Sequence, residues 1–319
     1  MSRKIRFLWG WRGNSPDNYT KKLDHVNNAQ KAHHIYYGLK NRIDNVVWGM
    51  DGFVDSDILI TTSGFGNVDF HPEKYQNTII IVNHMLYNEI WNPEERSKFP
   101  KNVDFGSSKD ILSPAMLNAK YYIITSNDVS ISKYNSNSEN TSAIREYIQK
   151  HKINLILTIS PIDKKKFYRE VFTPKKRKFL VLGGKSENKR QHLFRSMCDA
   201  HITFDNCKWF VPKTYTEKIK QCSYVAHISR SEAYSYFTHE SMCKGLLPFA
   251  GEGWWDGYGH EILIWREGKI KENKEKIKDI LNGKADSIYE EVISEFLNRT
   301  DNTWDVFNDK LLGCVKKLL

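Results

Sequence analysis

Cysteine is scarce in this sequence, with five residues in 319, an odd number, and no CxxC spacing. A disulfide scaffold and a cysteine-based metal site therefore lack their raw material, and reduced thiols in a cytoplasmic setting are expected. Long apolar runs are also missing. The longest, such as IIIV at 79–82, fall far short of a bilayer's thickness, so no transmembrane segment is expected. The opening stretch MSRKIRFLWGWRGNSPDNY is broken by Gly10, Arg12, Gly13 and Pro16 where an export signal needs an unbroken apolar core. No internal repeat appears, and only NSNSEN at 135–140 reads as a polar, low-complexity loop.

What is present describes a folded chain. Hydrophobic residues make up 40% and aromatics 13%, and the length suits two domains at about 150 residues each. Lys and Arg number 48 against 38 Asp and Glu, a net charge of +10 that suits an anionic partner such as a nucleotide or nucleic acid.

Apolar runs of four to seven residues recur between polar or helical stretches, the pattern of parallel strands covered on both faces. Strands are predicted over 5–9, 46–48, 57–61, 78–82, 121–125 and 154–159, with helices over 23–40 and 143–150. The alternation restarts at 178, with strands over 178–182, 201–204, 224–228, 246–250 and 262–265. Helices are predicted between and after these over 189–198, 216–221, 237–244, 270–281 and 287–297. Two α/β units with parallel sheets follow. Between them DKKKFYREVFTPKKRK, residues 163–178, carries eight basic residues and two acids and reads as a solvated connector or a nucleic-acid contact.

In open parallel sheets ligands bind beyond the carboxyl ends of the strands, which directs attention to four loops. LGGKSENKRQ places Gly183 and Gly184 after a strand, then Lys185, Lys189 and Arg190 ahead of a helix, an arrangement suited to a diphosphate. It matches neither GxxxxGK[ST] nor GxGxxG, so kinases, NTPases and simple dehydrogenases lose support. SRSEAYSYFTHESMCKGLLPFAGE carries Glu232 and Glu240 eight residues apart, two carboxylates able to accept hydrogen bonds from vicinal hydroxyls of one nucleotide sugar. IIIVNHMLYNE leads from a strand to His84, and ITSND ends on Asp128. WGWRGNSPDNY sets Arg12 between two glycines, where it can reach a phosphate. Each has a plain alternative: an ordinary turn with surface lysines, solvated acids, a satisfied structural histidine, or a helix-capping aspartate.

The segments 182–191 and 229–252 resemble the nucleotide-sugar-binding domain of GT-B-fold glycosyltransferases, and within them the DNA glucosyltransferases of T-even bacteriophages. The first of these segments, LGGKSENKRQ, is similar to the loop that holds the UDP diphosphate in those enzymes, with a lysine where they have an arginine. The resemblance implies an α/β fold of two Rossmann-like domains facing a cleft. Residues 1–165 would bind the acceptor and 175–300 the nucleotide sugar, with 301–319 crossing back to the first domain. It makes Glu240 the ribose ligand, Glu232 the sugar-side carboxylate, and Gly183, Gly184, Lys185, Lys189 and Arg190 the diphosphate site. His84, with Asp128 as the fallback carboxylate, would stand beside the acceptor hydroxyl, and Arg12 would contact a phosphate.

The implied activity is transfer of a sugar, glucose first, from a UDP-sugar without a required metal or other cofactor. The implied partner is duplex DNA carrying a hydroxymethylated pyrimidine; no protein partner is expected. A cell-envelope glycan, lipid or protein acceptor stands as the alternative, and a nucleotide- or DNA-binding protein on a degenerate scaffold as the non-enzymatic one. Three further signals carry less. Asp55-Ser56-Asp57 is a DxD triplet that precedes a strand instead of following one. His33 and His34 lie on a helical face without a completing ligand set. GEGWWDGYGHE, residues 251–261, offers Trp254, Trp255 and Tyr258 for stacking or for loop packing.

Overall fold

The structure, a computed structural model, describes residues 3–8, 28–62, 77–82, 120–125, 154–158, 161–164, 176–183, 190–205, 217–228, 236–251, 255 and 259–319. The chain divides into two compact units. One holds the elements up to Pro161 together with the last helix, and the other holds the elements between Ile162 and Thr300.

The first unit contains β1 (Ile5–Leu8), α1 (Asn28–Lys40), β2 (Val46–Trp48), β3 (Ile58–Thr62), β4 (Thr78–Val82), β5 (Tyr121–Thr125) and β6 (Leu155–Thr158). All six strands run parallel in the order β2-β1-β3-β4-β5-β6. The helix predicted over 143–150 lies outside the described residues. Alternate strand residues Ile5, Phe7, Ile58, Ile60, Ile79 and Ile81 form one buried face. It is covered by Ala32, Ile35, Tyr36 and Leu39 of α1 and by Phe307, Leu311, Cys314 and Val315 of the final helix, Trp304–Leu318. Such side chains contribute about 1.5–3 kcal/mol each on burial. Gly38 lets the two helices approach closely: a Cβ there would lie 2.1 Å from Asn308 Nδ2. That amide is itself buried and donates to the His34 carbonyl at 3.3 Å.

On the opposite side of β1, Arg6 is 1% exposed, and its Nε donates to Asp57 at 3.0 Å. The remaining guanidinium nitrogens donate to the carbonyls of Asp51 and Gly52, both at 2.6 Å. Asp57 also accepts from the backbone N–H groups of Lys4 and Val54. Burial alone would push this carboxyl up, but the Lys4 amide, the Arg6 guanidinium and the Val54 amide together hold it below the ordinary carboxylate range. The strand predicted from Asp57 accordingly starts at Ile58, and the acid of the DxD triplet is spent on Arg6 instead of a metal.

The second unit contains β7 (Phe179–Gly183), α2 (Gln191–Arg195), β8 (His201–Asp205), β9 (Tyr224–His227), α3 (Tyr236–Cys243), β10 (Leu247–Gly251), β11 (Ile264–Trp265), α4 (Ile270–Leu281) and α5 (Tyr289–Asn298). The final helix is α6. The second sheet is also parallel, ordered β11-β10-β9-β7-β8. One face is aromatic: Phe179 packs against Phe194, Tyr224 and Phe249 at ring-centroid distances of 5.0, 5.2 and 6.3 Å. The other face is mainly aliphatic, built from Leu180, Val225, Ile219, Cys222 and Leu246. The connector's ends are in structural use. Lys164 Nζ donates to the carbonyls of Leu297 and Arg299 at the end of α5, and Arg177 pairs with Asp286 at 2.7 Å.

Two variants test these constraints. Gly38→Ala is expected to lower unfolding free energy by about 1–3 kcal/mol through overpacking, with partial recovery in Gly38→Ala/Asn308→Ala, read by denaturant melts. Asp57→Ala strands the Arg6 charge and is expected to cost about 3–5 kcal/mol. Because the folded carboxyl titrates below its unfolded value, the pair's stabilisation is complete above about pH 4 and is lost as pH falls through the folded value.

Candidate functional site

Strand order fixes where a ligand can enter the second unit. The chain passes from β7 to β8 on one side and returns to β9 on the other, so β7 and β9 are hydrogen-bonded neighbours whose following loops leave in opposite directions. This is a topological switch point, where a crevice opens at the carboxyl edge. The register Phe179↔Tyr224, Leu180↔Val225, Val181↔Ala226 sets Gly183 level with Ile228. The segment opening at Gly183 and the one opening beyond Ile228, which carries Glu232, therefore start about 4.8 Å apart.

Of the predicted site residues, Gly183, Arg190 and Glu240 fall among the described ones. Gly183 is the last residue of β7, paired with Asp205 of β8. Arg190 is 8% exposed with a left-handed backbone, φ 52°, immediately ahead of α2. Its Nη2 donates to Glu267 Oε1 at 2.8 Å and its Nη1 to Oε2, a bidentate pair. Gln191 follows, with its side-chain carbonyl oxygen buried and without a hydrogen-bond partner among the described residues.

The helix predicted over 189–198 is only five residues long, Gln191–Arg195, because the chain turns at Ser196 and Met197 with hydrogen bonds back to His192 and Phe194. So short a helix adds little dipole, and charged side chains must supply most of any field on an anion.

Glu240 sits within α3 and is 2% exposed, between Thr238, His239 and Ser241, all buried. Gly245 ends α3 as predicted, at φ 82°, with its N–H on the Met242 carbonyl and that of Leu246 on Ser241. These two bonds form a Schellman cap. The Glu240 charge is felt nearby: burial first, and then this carboxylate, push the Cys243 thiol up to about 12. Gly184, Lys185, Lys189, Glu232, Arg12, His84 and Asp128 lie outside the described residues. In the sequence Arg12 follows β1 by four positions, His84 follows β4 by two and Asp128 follows β5 by three.

Other candidates take structural roles. Trp255 is 1% exposed, and Gly259 leaves no room between them, since a Cβ there would sit 2.4 Å from the ring; Trp255 is core and offers no exposed stacking face. Trp254 and Tyr258 lie outside the described residues. His34 is half-buried, stacked on Trp304 at 4.7 Å and 15°, and His33 lies 4.6 Å from the Tyr37 ring. Among the described residues no group of three or more His, Cys, Asp or Glu is placed to hold a metal, and no helix is long and apolar enough to cross a membrane.

No protein-family model matches the sequence, and no curated protein matches it significantly. The fold is matched: solved structures of GT-B glycosyltransferases share an architecture of two parallel-sheet α/β units. In particular, the chain is similar to a trehalose-6-phosphate synthase, OtsA, with a TM-score of 0.58 at 9% identity, covering 98% of this chain and 92% of that one. It is also similar to the catalytic domain of starch synthase IV from Arabidopsis thaliana bound to ADP and acarbose, with a TM-score of 0.53 at 10% identity over 82% and 73%. A UDP-forming α,α-trehalose-phosphate synthase from Burkholderia vietnamiensis gives 0.51 at 8% identity over 90% and 76%.

The described thiols are not nucleophiles. Burial pushes Cys198 and Cys314 up to about 11 and Cys222 up to about 12, so almost none is thiolate near neutral pH. Native protein at pH 8 is expected to react with DTNB at no more than one of its five cysteines, Cys207, and at all five in guanidinium. A second fast thiol would contradict the packing.

Proposed function

We propose that this protein is a glycosyltransferase that moves a hexose, glucose in the first instance, from a UDP-sugar to a hydroxyl group. The observation that carries the reading is the switch point of the second sheet. It starts the glycine-basic segment and the Glu232 segment side by side, the two segments selected from the sequence as a diphosphate cradle and a sugar-binding acid pair. The fold supports it, since structures sharing it include a starch synthase domain bound to a nucleoside diphosphate and an oligosaccharide analogue.

In this reading the diphosphate lies over Gly183 and Gly184 with Lys185, Lys189 and Arg190 around it, and Glu240 holds the ribose. The bond between the anomeric carbon and the diphosphate oxygen breaks, the acceptor oxygen bonds to that carbon, and the acceptor proton passes to His84 or Asp128. Charge gathers on the departing UDP, and fixed cations offset it without a required metal. Glu232 faces the sugar, and Arg12 steadies a phosphate.

The acceptor we propose is a hydroxymethylated pyrimidine in duplex DNA. A net charge of +10 suits a phosphate backbone, and the segments at 182–191 and 229–252 resemble phage DNA glucosyltransferases. Such an enzyme must draw the base out of the stack to reach its hydroxyl.

Radiolabelled UDP-glucose offered with hydroxymethylated DNA, unmodified DNA and a cell-envelope extract is expected to label the first alone. UDP release with label in the extract, or in no DNA, would remove the DNA acceptor and keep the transferase. Donor binding without any UDP release would make the protein a binding scaffold. Glu240→Ala is expected to weaken UDP-sugar binding by at least ~1 kcal/mol. Unchanged affinity in a variant that melts normally would take Glu240 out of the site.

A further inference from the structure

The pair between Arg190 and Glu267 joins two places far apart in the chain, the end of the segment that opens at Gly183 and the turn after β11. Its two members are solvated very differently. The Arg190 side chain is 9% exposed, while that of Glu267 is 60% exposed. A left-handed backbone is unfavourable for a side-chain-bearing residue, so Arg190 is held in this conformation by its surroundings.

A guanidinium presents a planar fork that fits a carboxylate and a phosphate alike. The terminal fork of Arg190 is filled by Glu267. A diphosphate brought to the same fork would meet a carboxylate of like charge, and the two could not share it without repulsion. The asymmetry of burial decides which partner moves. A covered guanidinium left without an anion is costly. An exposed carboxylate turning into water is rehydrated at once and loses less than the covered guanidinium would.

We propose that Glu267 is the resident counter-ion of the diphosphate site and exchanges with the diphosphate of the nucleotide: it leaves Arg190 when the donor binds and returns as the nucleoside diphosphate departs. This rests on the donor reading given above and adds to it a residue that sets how tightly the product is held. Glu267 keeps the covered cation neutralised between turnovers and lowers nucleotide affinity by the cost of its own displacement.

The test is calorimetric binding of UDP and of inorganic pyrophosphate to the full chain, wild type against Glu267→Gln, Glu267→Asp, Arg190→Ala and the double variant Arg190→Ala/Glu267→Gln. Glu267→Gln is expected to tighten both probes by about three- to tenfold, the scale of one competing charge removed. Glu267→Asp should return them toward wild type, and the gain should vanish when Arg190 is already Ala. Melting curves confirm that each variant is folded; Glu267→Gln changes an exposed side chain and is expected to melt as wild type does.

Unchanged or weakened binding in Glu267→Gln would overturn the exchange and make Glu267 a residue that merely braces Arg190. If wild type binds UDP while Glu267→Gln is silent, only the exchange falls. If wild type binds neither probe, the donor reading falls and the exchange with it.

Discussion

Parallel pairing is the constraint on which the rest of this protein depends. A strand that runs parallel to its neighbour cannot be reached by a tight turn, so every connection must travel the length of the sheet and re-enter at the same end. All eleven strands among the described residues obey this, six in one sheet and five in the other. Every segment following a strand is therefore delivered to a carboxyl edge, and the switch between β7 and β9 decides which two segments open next to each other. Site chemistry can then vary while the strands, buried on both faces, stay almost wholly apolar.

Much of this was legible in the sequence because buried parallel strands leave a strong pattern. The predicted runs at 46–48, 78–82 and 121–125 coincide with β2, β4 and β5, and the helix predicted over 270–281 coincides with α4. Gly245 was readable as a helix stop because a left-handed residue after a helix favours glycine. What escaped was whatever depends on partners distant in sequence. Nothing near Asp57 announces that Arg6 will claim it, and nothing in WREGK announces that Glu267 will reach back 77 positions to Arg190. Trp255 had the composition of an exposed stacking residue, and only its packing against Gly259 shows it to be core. The length of α2 was overread because the apolar spacing through Phe194 and Cys198 continues past the point where the backbone turns.

The two units use polar burial differently. In the first, Arg6 and Asp57 tie a turn at the amino end of the sheet, away from the ligand edge, where a rigid charged pair does no harm to binding. In the second, the covered cation lies at the carboxyl end, beside the glycine segment, and its partner faces water. A sealed pair serves architecture, and a half-open one is suited to exchange.

The return of α6 to the first sheet bears on how the protein is made. Phe307, Leu311, Cys314 and Val315 complete the same cluster as Ile5 and Phe7, across some three hundred residues of chain. During synthesis the second unit is fully translated before these side chains exist, so it can fold while the first sheet still lacks a helix that covers it. The half of the polypeptide that leaves the ribosome first is the half that is finished last, and until then its apolar face is what a nascent-chain chaperone would find.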